Sequence, residues 1–269
     1  MDDLATKTIL ITGATDGLGK GIALELARRR ATVLVHGRDE ARADKIAEDV
    51  LAAGATGARV YVADLASLED VRKLAAAVRE AEPRLDVLVN NAGIGTTVPT
   101  KERATSKDGH ELRFAVNYLA HYLLTRELLP LLKSSAPSRI VNVSSLGQAA
   151  IDFDDVMLTR SYDGVQAYCQ SKLAQILDTM TLAAELAGTK VTVTALHPAT
   201  YMATKIVPRP ITTVEEGVEA TVRLIADPAL EGVTGKFWNG KQEATALDQA
   251  YDADARKKLA ALSDRLVRA

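Results

Sequence analysis

Cysteine is nearly missing from this 269-residue chain: Cys169 stands alone, so no disulfide can close within it and no cysteine-built metal site is expected. A reducing compartment fits that count. The four histidines, His36, His110, His121 and His197, show no ligand spacing, and no metal is expected. Charge of one sign is missing too: the formal net charge is −2 and neither half carries a long like-charge run. That excludes the electrostatic footprint of a nucleic-acid or anionic-membrane binder. Long apolar runs are absent. The stretch Thr8 to Thr12 is too short for a signal sequence core or a membrane span, and Met1-Asp2-Asp3-Leu4 has no basic flank. A soluble cytoplasmic protein is therefore expected, with neither nucleic acid nor membrane as partner. No repeat, low-complexity segment or linker divides the sequence, so residues 1–269 are read as one domain.

What is present is alternation. Thr8 to Thr12 reads as a buried strand, and the helical spacing of Leu18, Ile22 and Leu26 runs into Arg28-Arg29-Arg30, where positive charge suits a helix C-terminus. Strand Thr32 to His36 and helix Glu40 to Ala53 follow, then strand Ala58 to Ala63, helix Leu68 to Glu80 and strand Leu85 to Asn90. Further on the pattern predicts a long helix from Asp108 to Leu132, strand Arg139 to Val143, helix Gln166 to Leu186 and strand Lys190 to Leu196. Alternation of this kind predicts an α/β fold with a doubly wound parallel sheet, Rossmann-like, covered by helices on both faces. Two stretches break the rhythm, 146–165 and 199–213. Both follow strands, and in such sheets ligands sit beyond the carboxyl ends of strands, so the first is read as an active-site insertion and the second as a substrate-covering loop.

Between the first strand and helix lies Thr12-Gly13-Ala14-Thr15-Asp16-Gly17-Leu18-Gly19. Glycine lets backbone approach a pyrophosphate, whose charge meets the positive end of a helix. Gly13, Thr15, Asp16, Gly17, Leu18 and Gly19 are thus candidate cofactor contacts. The tip of the second strand, His36-Gly37-Arg38-Asp39, falls at the adenosine ribose. A carboxylate there would accept from a 2′-hydroxyl, whereas a guanidinium forks onto a 2′-phosphate. Gly37 and Arg38 favour NADP(H), while Asp39 and Asp16 keep NAD open.

These elements resemble the short-chain dehydrogenase/reductase family, in order along nearly the whole chain. Asp64-Leu65 ends the third strand, Asn90-Asn91-Ala92-Gly93 matches the family's signature after the fourth, and Ser144-Ser145 ends the fifth. Tyr168-Cys169-Gln170-Ser171-Lys172 supplies its Tyr-x-x-x-Lys, and His197-Pro198 follows the sixth strand. Several stretches are similar to the retinol-dehydrogenase-type branch, including Phe114 to His121, Tyr168 to Ala174, the long gap between Ser145 and Tyr168, and Thr234 to Trp238.

The resemblance implies a carbonyl/alcohol oxidoreductase using NADP, with NAD possible, on a small-molecule substrate. It implies that Asp64 contacts the adenine, that Leu65, Asn91, Ala92, Gly93, Pro198 and Thr200 also meet the cofactor, and that Thr204 competes with Thr200 for that role. It further implies that Ser145 bonds the reacting oxygen, Lys172 holds the nicotinamide ribose, and Asn117 helps a water relay protons to Lys172. Homodimers or homotetramers are common in the family. The spacing of Tyr168 and Lys172 has its own logic: residues four apart share a helix face, and a nearby ammonium favours phenolate, making Tyr168 the proton donor or acceptor. A cofactor-binding sensor or scaffold without turnover is the competing reading; loss of the Tyr or Lys would be its signature, and both are present. His197 is expected to pack with one hydrogen-bond partner and Cys169 to pack beside Tyr168 without reacting. The C-terminal stretch Asp252 to Val267 is expected to be an amphipathic packing helix.

Overall fold

The structure, a computed structural model, describes residues 4–96, 102–204 and 209–268. Met1 to Asp3 and, within the expected substrate loop, residues 205–208 lie outside the described residues. The strands are β1 (Thr8–Ile11), β2 (Thr32–Gly37), β3 (Gly57–Val62), β4 (Val87–Asn90), β5 (Ser138–Val143), β6 (Val191–His197), β7 (Lys236–Asn239) and β8 (Gln242–Ala244). They form one sheet in the order β3-β2-β1-β4-β5-β6-β7-β8, parallel except for the last hairpin. The helices are α1 (Gly17–Arg28), α2 (Glu40–Ala52), α3 (Leu68–Ala81), the short α4 (Leu112–Phe114), α5 (Ala120–Ser134), α6 (Gly164–Glu185), α7 (Val214–Ala226) and α8 (Ala253–Arg268).

Side chains alternate across a strand, so one sequence feeds two cores. Leu10, Leu34, Leu88, Ile140 and Val193 point into a cluster with α3, α5 and α6, while Ile9, Val33, Val87 and Val141 point into a cluster with α1, α2 and α7. Most of these strand residues have no exposed surface at all. That double burial is why β1, β2 and β4 read as continuous apolar runs. Local chemistry marks the helix starts: Asp16, Asp39, Ser67, Asp163 and Thr213 each accept a backbone N–H at the start of α1, α2, α3, α6 and α7.

Three features differ from the sequence reading. The long helix expected from Asp108 begins at Leu112, because residues 105–111 turn back on themselves, with Thr105 bridging Glu111 and Gly109 at φ +81°. The helix is then interrupted by a π-helical turn, Ala115–Leu119, before α5. Helix α7 and strand β8 were not foreseen. Thr213 and Glu216 form the start of a capping box at α7, and Asn239-Gly240 is a hairpin turn signal before β8.

The strand order reverses between β1 and β4, so the connections that follow these strands part and leave a crevice at the carboxyl edge of the sheet. Thr12, Asn91, Ser144 and Pro198 all follow strands that end on this edge.

Candidate active site

The glycine turn is held from below by hydrogen bonds. The Gly13 amide donates to Nδ1 of buried His36 at 3.1 Å, so Nε2 carries the proton and donates to Ala63 O at 3.2 Å. Burial lowers His36 to about 4, which keeps that acceptor neutral. From the other side, Asn91 Nδ2 donates to Thr12 O at 2.8 Å and Gly13 O at 3.2 Å. The Asn91 and Ala92 amides both donate to Thr12 Oγ1. Asn91 thus ties β4 to the turn through its side chain.

Glycine is forced at two of these positions. Gly13 has φ +65°, and a Cβ at Gly19 would fall 2.2 Å from Gly13 O. Thr15 Cγ2 fills the space that a side chain at Gly37 would need, lying 2.5 Å from that Cβ position. Leu18 is buried among the apolar residues under α7, so only its backbone is available to a ligand. The α1 N-terminus therefore presents side-chain-free backbone at Gly13, Gly17 and Gly19, with the positive end of the helix behind it, which fits a pyrophosphate.

At the ribose end Arg38 is exposed at the tip of β2. Arg42 is a residue that the sequence reading missed. It donates to Asp16 Oδ2 at 3.1 Å and to Thr15 O at 3.4 Å, countering the one carboxylate that would repel a phosphate. The signal was its place three residues after the Asp39 cap, on the first turn of α2. Asp39 itself is occupied as that cap, accepting from Arg42 N at 3.0 Å. Asp64 accepts from Ala66 N at 3.0 Å and faces Lys107 at 3.6 Å, and Leu65 is buried in the core.

The four expected catalytic side chains converge. Ser145 Oγ accepts from the Gly147 amide at 2.9 Å, and a Cβ position at Gly147 lies 3.3 Å from Ser145 Oγ and 3.8 Å from Tyr168 Cε1, so the hydroxyl and the phenol ring flank the same glycine. Lys172 Nζ lies 5.7 Å from the centroid of the Tyr168 ring. A Cβ at Gly93 would stand 3.3 Å from Asn117 Oδ1 and 3.6 Å from Lys172 Nζ, so Asn117 and Lys172 both lie against the backbone that follows β4. Asn117 sits in the π turn. Its Oδ1 accepts from Ile94 N at 2.8 Å and its Nδ2 donates to Ser171 Oγ at 3.0 Å, joining the end of β4 to α6. The choice of Ser145 over Ser144 follows from bonding: Ser144 Oγ is turned away, donating to Lys172 O at 2.7 Å.

The electrostatics differ from the simple expectation of an ammonium lowering a phenol. Burial raises Tyr168 above the ordinary phenol value, and the Ser145 hydrogen bond opposes it only in part. Burial also lowers Lys172 to about 7, so near neutrality its charge is in balance. Desolvation outweighs the pair's mutual effect because both groups lie inside the protein. His197 has one partner, Thr200 Oγ1 at 3.0 Å, and burial lowers it to about 4. Thr200 is thereby turned toward His197, whereas a methyl of Thr204 lies 3.2 Å from a Cβ position at Gly17. Of the two threonines, Thr204 is the one against the glycine turn. Pro198 packs near Gly217, behind the same loop. Cys169 borders Gly147, and burial raises its thiol, which disfavours thiolate.

The segments around the mouth are pinned by side chains that the sequence reading did not single out. Arg113, fully buried, donates to Gly95 O and Thr96 O, each at 2.8 Å, and to the Tyr162 hydroxyl. It fastens the end of β4 to the insertion. Gln249 bridges Ile151 with two hydrogen bonds, at 2.7 and 3.1 Å, and the Leu247 amide donates to Gln148 Oε1 at 2.8 Å. Leu146, Val165, Tyr201, Ile211 and Leu247, on these segments, are large apolar side chains left 40–70% exposed. Among the described residues no cluster of three or more His, Cys, Asp or Glu could hold a metal, and no helix is long and apolar enough to cross a membrane.

Comparison with known proteins agrees with this geometry. The short chain dehydrogenase family model matches residues 7–210. Mouse retinol dehydrogenase 14 is 40% identical over 97% of this chain and 86% of its own length. Human retinol dehydrogenase 13 is 39% identical, over 97% and 84%. Among solved structures, the Pseudomonas aeruginosa RhlG/NADP active-site complex superposes with a TM-score of 0.71 at 27% identity, covering 88% of this chain and 95% of that one. The 3-ketoacyl-(acyl-carrier-protein) reductase of Brucella melitensis complexed with NADH gives 0.70 at 28%, covering 88% and 97%. The chain belongs to the short-chain dehydrogenase/reductase family, oxidoreductases that act on CH–OH and C=O groups with a nicotinamide cofactor.

Proposed function

We propose that the protein interconverts an apolar alcohol and its aldehyde or ketone, with NADP(H) preferred over NAD(H) and Tyr168 as the proton donor in reduction and acceptor in oxidation. The observation that carries this reading is the meeting of Ser145, Tyr168, Lys172 and Asn117 beside the glycine turn. When bound, a nicotinamide supplies or takes the hydride; the protein handles the proton. Ser145, with its own lone pair engaged by the Gly147 amide, has its hydroxyl proton available to a substrate oxygen and to the phenol. Lys172, buried and lowered to about 7, is placed to hold the ribose in its charged form. Asn117, fixed by Ile94 and Ser171, keeps its turn open beside Lys172 for a proton-relaying water.

Preference for NADP(H) is supported by exposed Arg38 and by Arg42, which offsets Asp16. An apolar substrate is supported by the five exposed apolar side chains carried by the insertion, the loop near 200 and the segment around 247, and the relatives named for retinol, itself an apolar alcohol, point the same way. The test is turnover with NADPH and NADH over a panel of long-chain and retinoid aldehydes, small ketones and quinones. Tyr168→Phe should lose at least about a hundredfold in rate with cofactor binding kept. Tight NADPH binding with no turnover across the panel would instead indicate a sensor or scaffold.

A further inference from the structure

Lys172 Nζ donates to Val143 O at 2.9 Å and to Gln175 Oε1 at 3.1 Å, one helical turn further along α6. Because Lys172 in its charged form can only donate, the amide oxygen must face it, and Gln175 Nε2 then points the other way. Among the described residues that N–H group is buried with no hydrogen-bond partner, and so is Asn90 Oδ1. The orientation of Asn90 is fixed independently: its Nδ2 donates to Asn142 Oδ1 at 2.8 Å and Thr125 Oγ1 at 3.0 Å, while Asn142 Nδ2 donates to Thr179 Oγ1 at 2.8 Å. An orphan donor and an orphan acceptor therefore line the same cavity, about 10 Å³ in volume, between α5, α6 and the sheet.

Other groups on that wall are engaged elsewhere. Tyr118 Oη bonds Ser263 and Tyr122 Oη donates to Asp264, both on α8, and the His121 ring bonds Thr12 and the Asn117 carbonyl. The remaining wall group is the carboxyl of Asp178, buried and facing Arg126 at 3.5 Å. A space of this size with two to four polar partners holds one water.

We propose that Gln175 is a positioning residue for Lys172, and that Gln175 is itself held by one buried water shared with Asn90 and Asp178 in the cavity behind the active site. This rests on the reading of Lys172 as the ammonium of the catalytic set. The amide oxygen of Gln175 favours the charged form of Lys172 against its burial, and the water keeps the amide from turning its N–H₂ toward the lysine. The titratable groups facing Lys172 are Tyr168 on its own helix and His121 from α5; burial is the sole cause of its lowered value, with no carboxylate contributing.

The experiment is an NMR titration of the Lys172 side chain in protein made with isotope-labelled lysine, which needs no turnover. Gln175→Leu should move the midpoint down by about one pH unit or more, and Gln175→Glu should move it up by a similar amount. Should the leucine variant fail to fold, Gln175→Glu alone decides: a midpoint that stays or falls overturns the positioning role. A high-resolution crystal structure should show water density within hydrogen-bond distance of Gln175 Nε2 and Asn90 Oδ1; a dry cavity overturns the water. In the active enzyme the alkaline limb of the rate profile should follow the NMR midpoint. If the wild type proves inactive on every substrate, the catalytic reading fails while the titration still decides the fate of this one.

Discussion

The crevice has two walls that achieve order by different means. On the dinucleotide side the turn 13–19 is backbone packed on backbone, with Gly19 against Gly13 O and Asn91 and His36 bracing it through buried hydrogen bonds. On the substrate side the described residues of the insertion ahead of α6 and of the loop near 200 have no helix or strand of their own. Long side chains such as Arg113, Gln148 and Gln249 pin the insertion, and the loop near 200 is closed by its own hydrogen bonds, Thr212 Oγ1 to Thr200 O and the Ala203 amide to Thr212 O. The first wall tolerates almost no added atom, whereas the second is a set of replaceable fasteners, so fixed chemistry sits against one and variable substrate shape against the other.

Breaking the backbone wall should cost most. Gly19→Ala places a methyl 2.2 Å from a carbonyl oxygen that cannot retreat without unseating the turn. A loss of about 3 kcal/mol or more in urea unfolding is expected, with NADPH binding abolished in calorimetry. Acid attacks the same wall through His36. Its folded value, about 4, lies below the ordinary 6.5, so between those limits the unfolded chain takes up a proton that the folded one refuses. Stability is therefore full above pH 6.5 and falls as pH drops toward 4, by roughly 3 kcal/mol from this group. His121, lowered to about 3, and His197, lowered to about 4, act in the same direction. The plot of unfolding free energy against pH should lose about one proton's worth of slope in this window in His36→Asn.

Smaller effects sharpen the contrast. Arg38→Ala should raise the NADPH KM about tenfold and leave that for NADH nearly unchanged, since only a 2′-phosphate needs the guanidinium. Equal change with both cofactors would remove Arg38 from the ribose site. Gln249→Ala, on the substrate side, should cost only about 1 kcal/mol of stability. Its KM for the carbonyl substrate should rise several-fold while that for NADPH holds.

The same contrast explains what was legible in the sequence. The glycine turn, Asn90 to Gly93 and Tyr168 to Lys172 are local patterns whose chemistry demands those residue types at those spacings, and their elements were placed within a few residues. Arg42 and Gln175 were not, because each acts through a partner far away in the chain or behind a helix, and nothing in a guanidinium or an amide announces that. Arg113 was hidden for the opposite reason: an arginine suggests surface, and full burial follows only once Gly95, Thr96 and Tyr162 surround it. The start of the Asn117 helix was set too early because residues 105–111, with no apolar spacing of their own, spend their hydrogen bonds on a local turn around Ser106.

The π turn at 115–119 carries a surplus residue relative to a regular coil, and everything from His121 to Ser134 is phased by it. Deleting one residue there would take up that surplus and restore ordinary winding, leaving the flanking helix in phase and displacing the side chains of the turn itself. Asn117 would lose its hold on Ile94 and Ser171 and Tyr118 its α8 partner, while His121 and Tyr122 beyond the turn kept theirs, so a one-residue change of length would strike the catalytic neighbourhood and leave the rest of the helix in place.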